Sequence, residues 1–495
     1  MSESDAGIYV CHACVGDEFL KQEVRSEGDM ASCSLCGKRR KSFTLEELAD
    51  RIHSVLEAHF YLTPNEPSGI DYALVKEGVW DWERPGEPVD TVISEIADID
   101  LGLAGKIREQ LSDLHGYGAV RDGDEDPYAN DAHYEELPID DLNYQETWNE
   151  FRKEIKARAR FFSQYAQRAL DEIFGDIGSL SSYDGTPVIR VILPTDDNRF
   201  IHRARVCFSE TELKDMLAAP VKQIGPPPFR KARAGRMNAA GISVFYGAMD
   251  RETCIAEARA PVGSYVVLGR FEFIRPVRLL DFDVLTRVYV SGSHFDPDYN
   301  TRRSRVAFLK RLVREISRPV MPRDEEFEYL PTQAVSEYLA ARFDPRLDGI
   351  IFHSSQTDGE GRNLVLFNHA CVIEPYELPE GSEIEFNMGW GSEDNYDDSI
   401  TIWETVPGEE SGKEDPNKEK PKEDHDPFGF GDFIVTEPPD IETGSDDEVS
   451  PSGEPTLRLD VNNIDLQVIR SVKYETSSRM VSRHRKTNND DDSPF

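Results

Sequence analysis

The sequence predicts an α+β protein, in which a cysteine-rich start and a helical region precede a domain built on a mixed β-sheet. Apolar residues recur at helical spacing within residues 44–175, which favours amphipathic helices. Short apolar runs bounded by glycine recur within residues 200–367, which favours strands. Four cysteines in two CxxC pairs lie within the first 36 residues and indicate a small metal-binding knuckle.

Length and charge limit the classes of function. The chain has 495 residues, a length typical of two or three domains. Lys and Arg total 56 against 94 Asp and Glu, and the net charge of −38 argues against nucleic acid as a bulk partner. The polar, acidic start MSESDAG does not resemble a secretory signal, and no run approaches the ~18 apolar residues of a spanning helix. We therefore expect a cytoplasmic protein without a membrane partner.

The two CxxC pairs, Cys11 with Cys14 and Cys33 with Cys36, are separated by 18 residues. This spacing is typical of a tetrahedral four-thiolate zinc site. Disulfides are the alternative, but nothing marks the chain as secreted, and cytosolic thiols stay reduced. Because four thiolates leave no open coordination position, we expect a structural zinc in a knuckle over residues 1–43.

A helical region is predicted over residues 44–180. Thr44 and Glu47 form a capping box at its start, and apolar residues follow at helical spacing. Further helices are expected over about residues 90–113 and over residues 145–175, the latter with an aromatic core face.

The stretch GRMNAAGISVFYGAMDRETCIAE, residues 235–257, carries three chemically distinct groups. A glycine-marked turn with Arg236 leads into a short strand over residues 242–246, and a helical segment follows that ends near Glu257. Arg236, Tyr246 and Glu257 can thus reach one cleft. Cleavage of a glycosidic bond through a cationic sugar needs a phosphate clamp, a surface for a flat ring and an anion. Either the Tyr or the Glu alone is better explained as a structural residue, because a buried strand Tyr and a helix Glu are common.

Strand-like segments flank this stretch on both sides. Residues 200–206 have the pattern of a strand that carries Arg203. Residues 347–367 have the pattern of two short strands joined by a glycine-rich turn, in which Ser354 ends the first strand and Asn363 opens the second.

Four spaced blocks in this order resemble the RES domain, a family named for its Arg, Glu and Ser. The blocks are Arg203, GRMNAAGISVFYGA with Tyr246, TCIAE with Glu257, and DGIIFHSS with Ser354. The resemblance implies a RES domain over residues 190–386, with a fold similar to that of ADP-ribosyltransferases. It also implies a toxin or defence effector that cleaves the nicotinamide–ribose bond of NAD, with water or inorganic phosphate as acceptor.

The resemblance further implies roles for individual residues. The substrate-binding candidates are Arg203, Arg236 and Asn363, of which the two arginines would hold the pyrophosphate through their planar forks. The catalytic candidates are Glu257, Tyr246 and Ser354. Glu257 would stabilise the oxocarbenium-like ribose, Tyr246 would pack on the nicotinamide ring, and Ser354 would orient the sugar, with Ser355 as the alternative serine.

Several functions stay open at this point. Beside an NAD glycohydrolase or phosphorylase, the sequence is compatible with ADP-ribosyl transfer to a macromolecule. A non-catalytic nucleotide-binding or sensor module is a further alternative. An antitoxin or another protein is a possible partner in addition to NAD.

The N-terminal part resembles the region that accompanies some RES domains, which is related to HEPN helical domains. Active HEPN ribonucleases carry an Arg-x4–6-His motif, and six residues separate Arg108 from His115. Glu109 replaces the polar Asn that often follows the Arg. Both a ribonuclease site and an ordinary surface helix therefore remain possible.

The C-terminal part begins with an acidic segment. Residues 376–455 hold 25 Asp and Glu but only 4 Lys, more than half of the net charge of the chain. We expect residues 387–455 to be a disordered insertion, apart from a short strand at residues 400–405. Residues 456–476 are expected to form a closing hairpin of the RES sheet around a VNN turn, and residues 477–495 a disordered tail.

Overall fold

The computed structural model describes residues 7–77, 81–318, 320–321, 323–357, 359–387, 400–407, 434–435, 453–473 and 476–483. Its strands are β1 (Tyr9–Cys11), β2 (Asp29–Ser32), β3 (Arg39–Thr44), β4 (Phe60–Leu62), β5 (Glu87–Pro88), β6 (His133–Glu136), β7 (Ile189–Ile192), β8 (Phe200–Cys207), β9 (Phe245–Ala248), β10 (Tyr265–Phe273), β11 (Val277–Asp281), β12 (Gly349–His353), β13 (Arg362–Leu366), β14 (Glu383–Asn387), β15 (Thr401–Thr405), β16 (Ile434–Val435) and β17 (Leu457–Val468).

The α-helices are α1 (Glu18–Glu27), α2 (Leu45–His59), α3 (Gly69–Lys76), α4 (Val89–Ala97), α5 (Leu101–Leu111), α6 (Tyr117–Asp122), α7 (Leu142–Lys153), α8 (Gln164–Phe174), α9 (Glu210–Ala218), α10 (Pro220–Ile224), α11 (Arg251–Ala258), α12 (Phe282–Thr286), α13 (Tyr299–Ser317), α14 (Glu325–Glu328) and α15 (Leu330–Arg342). The α+β class is confirmed. Across the described ranges, no helix is both long enough and apolar enough to cross a lipid bilayer.

The chain divides into two compact units. Residues 1–188 and 282–318 form the N-terminal unit, and residues 189–281 and 319–495 form the sheet unit. The segment 282–318 lies inside the RES domain expected from the sequence, yet it packs with the N-terminal unit. Its long helix α13 buries an apolar face there, which local sequence patterns cannot assign to one unit or the other.

The knuckle and the first long helix of the N-terminal unit share one hydrophobic core. Val10 of β1 is buried in the same cluster as Leu48 of α2, so residues 1–43 do not form a core of their own. Helix α2 begins at a capping box, as expected. The Thr44 hydroxyl accepts a hydrogen bond from the Glu47 amide, and the Glu47 carboxylate accepts one from the Thr44 amide.

The helix expected over residues 145–175 is interrupted. A π-helical turn follows α7, and the chain leaves helical geometry before Ser163 caps α8 by accepting a hydrogen bond from the Ala166 amide. Phe161 and Phe162 lie in this interruption and are 87% and 97% exposed, whereas Trp148 and Phe151 of α7 are buried. The expectation of one continuous helix over residues 145–175 was therefore wrong, because Ser163 caps a second helix.

The two residues of the ribonuclease-type motif, Arg108 and His115, lie in a polar cluster of the N-terminal unit. Arg108 Nε is 2.9 Å from Asp90 Oδ1, and Arg108 Nη1 donates to the Tyr128 carbonyl at 3.2 Å. The His115 ring stacks on His53 with centroids 3.8 Å apart, and His53 Nδ1 is 2.5 Å from the Tyr128 hydroxyl. Both motif residues thus make contacts that join different elements of this unit.

The sheet unit is built on eight strands in the order β17-β10-β8-β9-β13-β12-β11-β7. Strands β11 and β12 run parallel and the other neighbours run antiparallel, so the sheet is mixed, as expected. One face carries the main hydrophobic core of the unit. Members of this core include Ile201, Phe245, Phe271, Leu279, Ile351 and Leu366.

The segment after the acidic insertion forms one strand instead of the expected hairpin. Strand β17 pairs with β10 along its length, and the register shifts between Gly269 and Phe271 of β10. The VNN residues lie opposite this shift and form a β-bulge. They do not form a hairpin turn, because the residues on both sides of them pair with β10 and not with each other.

Within the acidic segment, the strand expected at residues 400–405 is present as β15, next to β14 and β16. Most of the remaining insertion and residues 484–495 lie outside the described residues.

We predict that the stability of the N-terminal unit falls as the pH decreases below about 6.5, the ordinary pKa of histidine. Burial, together with the neighbouring His115, lowers the pKa of His53. Below its ordinary pKa the unfolded chain therefore binds a proton that the folded unit disfavours, and unfolding becomes more favourable. Denaturant unfolding at constant ionic strength, followed between pH 7.5 and 5.5, measures this effect. His53→Gln should reduce the pH dependence, and an unchanged pH dependence in that variant would contradict the assignment.

Candidate functional site

The four cysteines of the knuckle converge on one point. Their sulfur atoms all lie within 4.8 Å of one another. Cys11 Sγ is 3.6 Å from Cys36 Sγ and 3.8 Å from Cys14 Sγ, and Cys33 Sγ is 3.8 Å from Cys14 Sγ. A tetrahedron with ~2.3 Å metal–sulfur bonds has edges of about 3.8 Å, whereas a disulfide would need about 2.05 Å. The four thiols could therefore hold a metal ion.

Local turns bring these sulfurs together. The Cys14 amide donates to the Cys11 carbonyl at 2.8 Å, and the Gly37 amide donates to the Cys33 carbonyl at 2.9 Å, so each CxxC pair closes a tight turn. Gly37 has a φ of 70°, the left-handed conformation that glycine adopts without strain. The side chains of each pair consequently point toward the same centre.

In the sheet unit, the carboxylate of Glu257 is the centre of a hydrogen-bonded cluster. Glu257 lies in the last turn of α11, and its Oε1 accepts from Ser354 Oγ at 2.6 Å and from Asn363 Nδ2 at 2.6 Å. Within the part of the chain that the structure describes, Oε2 has no hydrogen-bond partner. One oxygen is thus held by two donors, whereas the other keeps its capacity to accept a hydrogen bond.

Strands β12 and β13 place the two donors. Ser354 follows β12, and its amide donates to the Gly361 carbonyl at 2.8 Å, which closes the connection between the two strands. A Cβ on Gly361 would collide with the Thr253 hydroxyl of α11, so only glycine lets this helix lie so close to the strand. Ser355 is exposed and makes no contact with Glu257 among the described residues, which leaves Ser354 as the serine of the cluster.

Tyr246 lies on the same face of the sheet as Asn363. On the paired strands β9 and β13, Tyr246 is opposite Val365 and Ala248 is opposite Asn363. Tyr246 and Asn363 are therefore diagonal neighbours, about 7–8 Å apart. The Tyr246 hydroxyl accepts from the Met237 amide at 2.9 Å, and burial raises the pKa of this phenol to about 12.

The hydroxyl of Tyr246 also connects the cluster to the turn that carries Arg236. It donates to Asn238 Oδ1 at 3.0 Å, and Asn238 Nδ2 donates to the carbonyls of Arg233 and Ile242 at 3.0 Å each. Asn238 is buried, and its side chain links the backbone before and after it on the inside of the turn. Arg236, which is half-buried, lies in the turn that these hydrogen bonds hold.

Arg203 has a different environment from the one expected. Strands β8 and β9 share one pair, His202 opposite Ala248, and diverge beyond it. The guanidinium of Arg203 fills the fork, donates from Nη1 to the Tyr246 carbonyl at 2.7 Å and lies 4.9 Å from the Phe245 ring centroid. Arg203 is 4% exposed, and burial lowers its pKa well below the ordinary value. It replaces the missing backbone partner of β9.

The structure thus brings five of the six sequence-predicted residues of the sheet unit to one face of the sheet: Arg236, Tyr246, Glu257, Ser354 and Asn363. The sixth residue, Arg203, is buried in the fork beside them. Sequence reasoning missed Asn238, Tyr329, Thr332 and Gln333, which contact the Arg236 turn. A signal was present for Thr332 and Gln333, because this polar pair opens a helix whose other positions are mainly apolar.

One comparison with known proteins gives a match. The family model described as "RES domain" matches residues 205–386. The chain therefore contains a RES domain, which includes all of the cluster residues named above except Arg203. No curated protein and no solved structure gives a significant match to the chain.

We predict that Arg203→Met destabilises the sheet unit by roughly 2–3 kcal/mol, because the Tyr246 carbonyl loses its donor and the fork is left incompletely filled. Denaturant unfolding of the variant, compared with the parent protein, measures the loss. Arg203→Lys should recover only part of it, because an ammonium group lacks the planar fork of the guanidinium. Unchanged stability together with weaker binding of ADP-ribose would instead support direct phosphate contact.

Proposed function

We propose that this protein cleaves the nicotinamide–ribose bond of NAD. The observation that carries the proposal is the carboxylate of Glu257, whose Oε1 is fixed by Ser354 and Asn363 while Oε2 accepts no hydrogen bond from the described residues. An anion held in this way suits a reaction that develops positive charge. The association of RES domains with NAD-related function supports the same choice.

The proposed reaction separates a cationic leaving group from the sugar. The bond from the ribose carbon to the nicotinamide nitrogen breaks, its electron pair stays on nitrogen, and nicotinamide departs neutral. The ribose becomes an oxocarbenium-like cation, which Oε2 of Glu257 would stabilise. Water then adds to the ribose carbon and loses a proton to solvent, which gives ADP-ribose; inorganic phosphate would give the sugar phosphate instead.

The neighbouring residues would position the substrate. Tyr246 would provide a surface for the nicotinamide ring, and Arg236 would bind the pyrophosphate as a planar fork. Arg203 would act indirectly, by holding the strand that carries Tyr246. Ser354 and Asn363 would keep Glu257 oriented before the substrate arrives.

The charge pattern around Arg236 supports an anionic substrate. Residues 216–249 contain five Lys and Arg but no Asp or Glu. At the composition of the whole chain, 94 acidic residues among 495, a segment of this length would contain about six. A local excess of cations in a chain of net charge −38 raises the concentration of a small anion at that place.

A role as a toxin or defence effector belongs to this proposal, because an enzyme that consumes a shared cofactor harms the cell that contains it. Such an enzyme would need a protein partner, such as an antitoxin, to restrain it in the producing cell. ADP-ribosyl transfer to a macromolecule would use the same Glu257 and differ only in the acceptor. Product identification in the presence and absence of phosphate distinguishes these acceptors.

We predict that Glu257→Gln lowers the rate of nicotinamide release from NAD by at least about 10²-fold, with little change in NAD affinity. The amide keeps the size of the side chain but removes the charge that matters mainly in the transition state. Single-turnover kinetics and calorimetric binding measure the two quantities. The matched control is Glu252→Gln, an exposed glutamate on the same helix, which should retain the parent rate.

Two outcomes would contradict this assignment. A well-folded Glu257→Gln protein with the parent rate would exclude the carboxylate from the chemistry. Binding of NAD by the parent protein without any turnover would favour a nucleotide-binding or sensor module.

For the knuckle, we propose one structural zinc held by Cys11, Cys14, Cys33 and Cys36, which supplies folding energy and no reaction chemistry. The support is the set of sulfur separations, which matches the edges of a tetrathiolate tetrahedron.

We predict one zinc per chain in freshly purified, reduced protein and loss of that zinc in Cys14→Ser. Because the knuckle shares its core with α2, a chelator should also lower the unfolding midpoint of the N-terminal unit. Metal analysis and thermal unfolding are the measurements. His12→Gln is the control, since His12 accepts a hydrogen bond from Arg25 and lies outside the sulfur cluster. Absence of zinc from the parent protein would refute the proposal.

A further inference from the structure

The start of α15 contacts the turn that carries Arg236. The Thr332 hydroxyl donates to the Arg236 carbonyl at 2.6 Å, and Gln333 Nε2 donates to the Gly235 carbonyl at 2.8 Å. Both side chains are 8% exposed. Two consecutive backbone carbonyls of the turn are thus held by two consecutive residues of one helix.

The side chain of Arg236 meets the same helix start. Its Cζ lies 5.6 Å from the centroid of the Tyr329 ring, which is within the range of a cation–π contact. The Gln333 amide donates to the Tyr329 carbonyl at 2.8 Å, so the helix itself fixes Tyr329 relative to Gln333. The backbone and the guanidinium of Arg236 therefore both contact the start of helix α15.

Helix α15 does not need the hydrogen bond from Thr332 to the Arg236 carbonyl to satisfy the Thr332 hydroxyl. The Thr332 hydroxyl also lies 2.9 Å from the Tyr329 carbonyl of its own first turn, so α15 offers this donor a local acceptor. From the opposite side, Asn238 and the Tyr246 hydroxyl brace the same turn. A Cβ on Gly235 would lie 2.7 Å from Asn238 Oδ1 and 2.9 Å from the Tyr246 hydroxyl, so the turn has no room to relax inward.

We propose that Tyr329, Thr332 and Gln333 are positioning residues, which set the place of the Arg236 guanidinium for the pyrophosphate of a dinucleotide. This inference rests on the proposed function. The physical reason is pre-organisation: an arginine on an unsupported turn would lose conformational freedom on binding, whereas a held arginine has lost it during folding.

The test uses full-length protein and pairs of matched variants. Thr332→Val keeps the shape of the side chain but removes the hydroxyl, and Thr332→Ser keeps the hydroxyl. Tyr329→Leu removes the ring face, and Tyr329→Phe keeps it. We expect Thr332→Val and Tyr329→Leu to raise KM for NAD by about 5–10-fold with kcat within about twofold, because a binding contact is weakened. Thr332→Ser and Tyr329→Phe should behave like the parent protein.

A double-mutant cycle with Arg236→Gln separates positioning from a general loss of stability. If Thr332 acts through Arg236, Thr332→Val should add little to the KM of the Arg236→Gln protein. A merely structural Thr332 would raise KM by the same factor in both backgrounds, or would lower the unfolding temperature and the fraction of active protein. Either of those results would overturn the inference.

The failure of this inference can be distinguished from failure of the proposed function. If the parent protein releases no nicotinamide, NAD cleavage is refuted, and ADP-ribose binding measured by calorimetry then carries the same variant comparison. If the parent protein cleaves NAD but all four variants match it, the positioning role is refuted alone. If the parent binds neither NAD nor ADP-ribose, both proposals are wrong.

Discussion

The shared hydrogen bonding of Glu257 Oε1 joins the elements on which the candidate site depends. Helix α11, the end of β12 and the start of β13 meet at this one oxygen, through Ser354 and Asn363. A partly buried carboxylate requires donors, and these two donors fix its direction as well as satisfying it. The close approach of α11 to β13 at Gly361 follows from the same contact. The direction of the open oxygen is therefore set by the fold and not by the substrate.

Arg203, for which the resemblance to the RES domain implied a role in phosphate binding, lies in the fork between β8 and β9. The divergence of β8 from β9 leaves the Tyr246 carbonyl without a backbone partner, and the guanidinium supplies one. Burying a cation is costly, yet a shorter neutral side chain could not reach across the fork. The Arg203 guanidinium therefore connects β8 to the Tyr246 carbonyl of β9 where the backbones of the two strands no longer pair.

Sequence patterns predicted the elements that depend on neighbouring residues. Strand β8, the β12–β13 pair and the Thr44 capping box follow from alternation, turn residues and a cap, which are local features. The position of Arg203, by contrast, depends on the divergence of β8 from β9. The contact of Gln333 with the Arg236 turn joins residues almost a hundred positions apart in the sequence. The break before Ser163 was missed because a second cap competes with a continuous helical pattern.

The partners of the partly buried Glu257 also distinguish it from two buried carboxylates of the sheet unit, Asp281 and Asp348. Asp281 lies 3.2 Å from an Arg190 nitrogen, and Asp348 lies 2.8 Å from an Arg275 nitrogen, so cations offset both charges. Among the residues that the structure describes, Glu257 is held by a hydroxyl and an amide, and no cation pairs with it. Neutral donors orient a carboxylate while leaving its net charge in place, whereas a guanidinium would screen it from a ligand. The proposed stabilisation of a transient cation by Glu257 is consistent with the first arrangement.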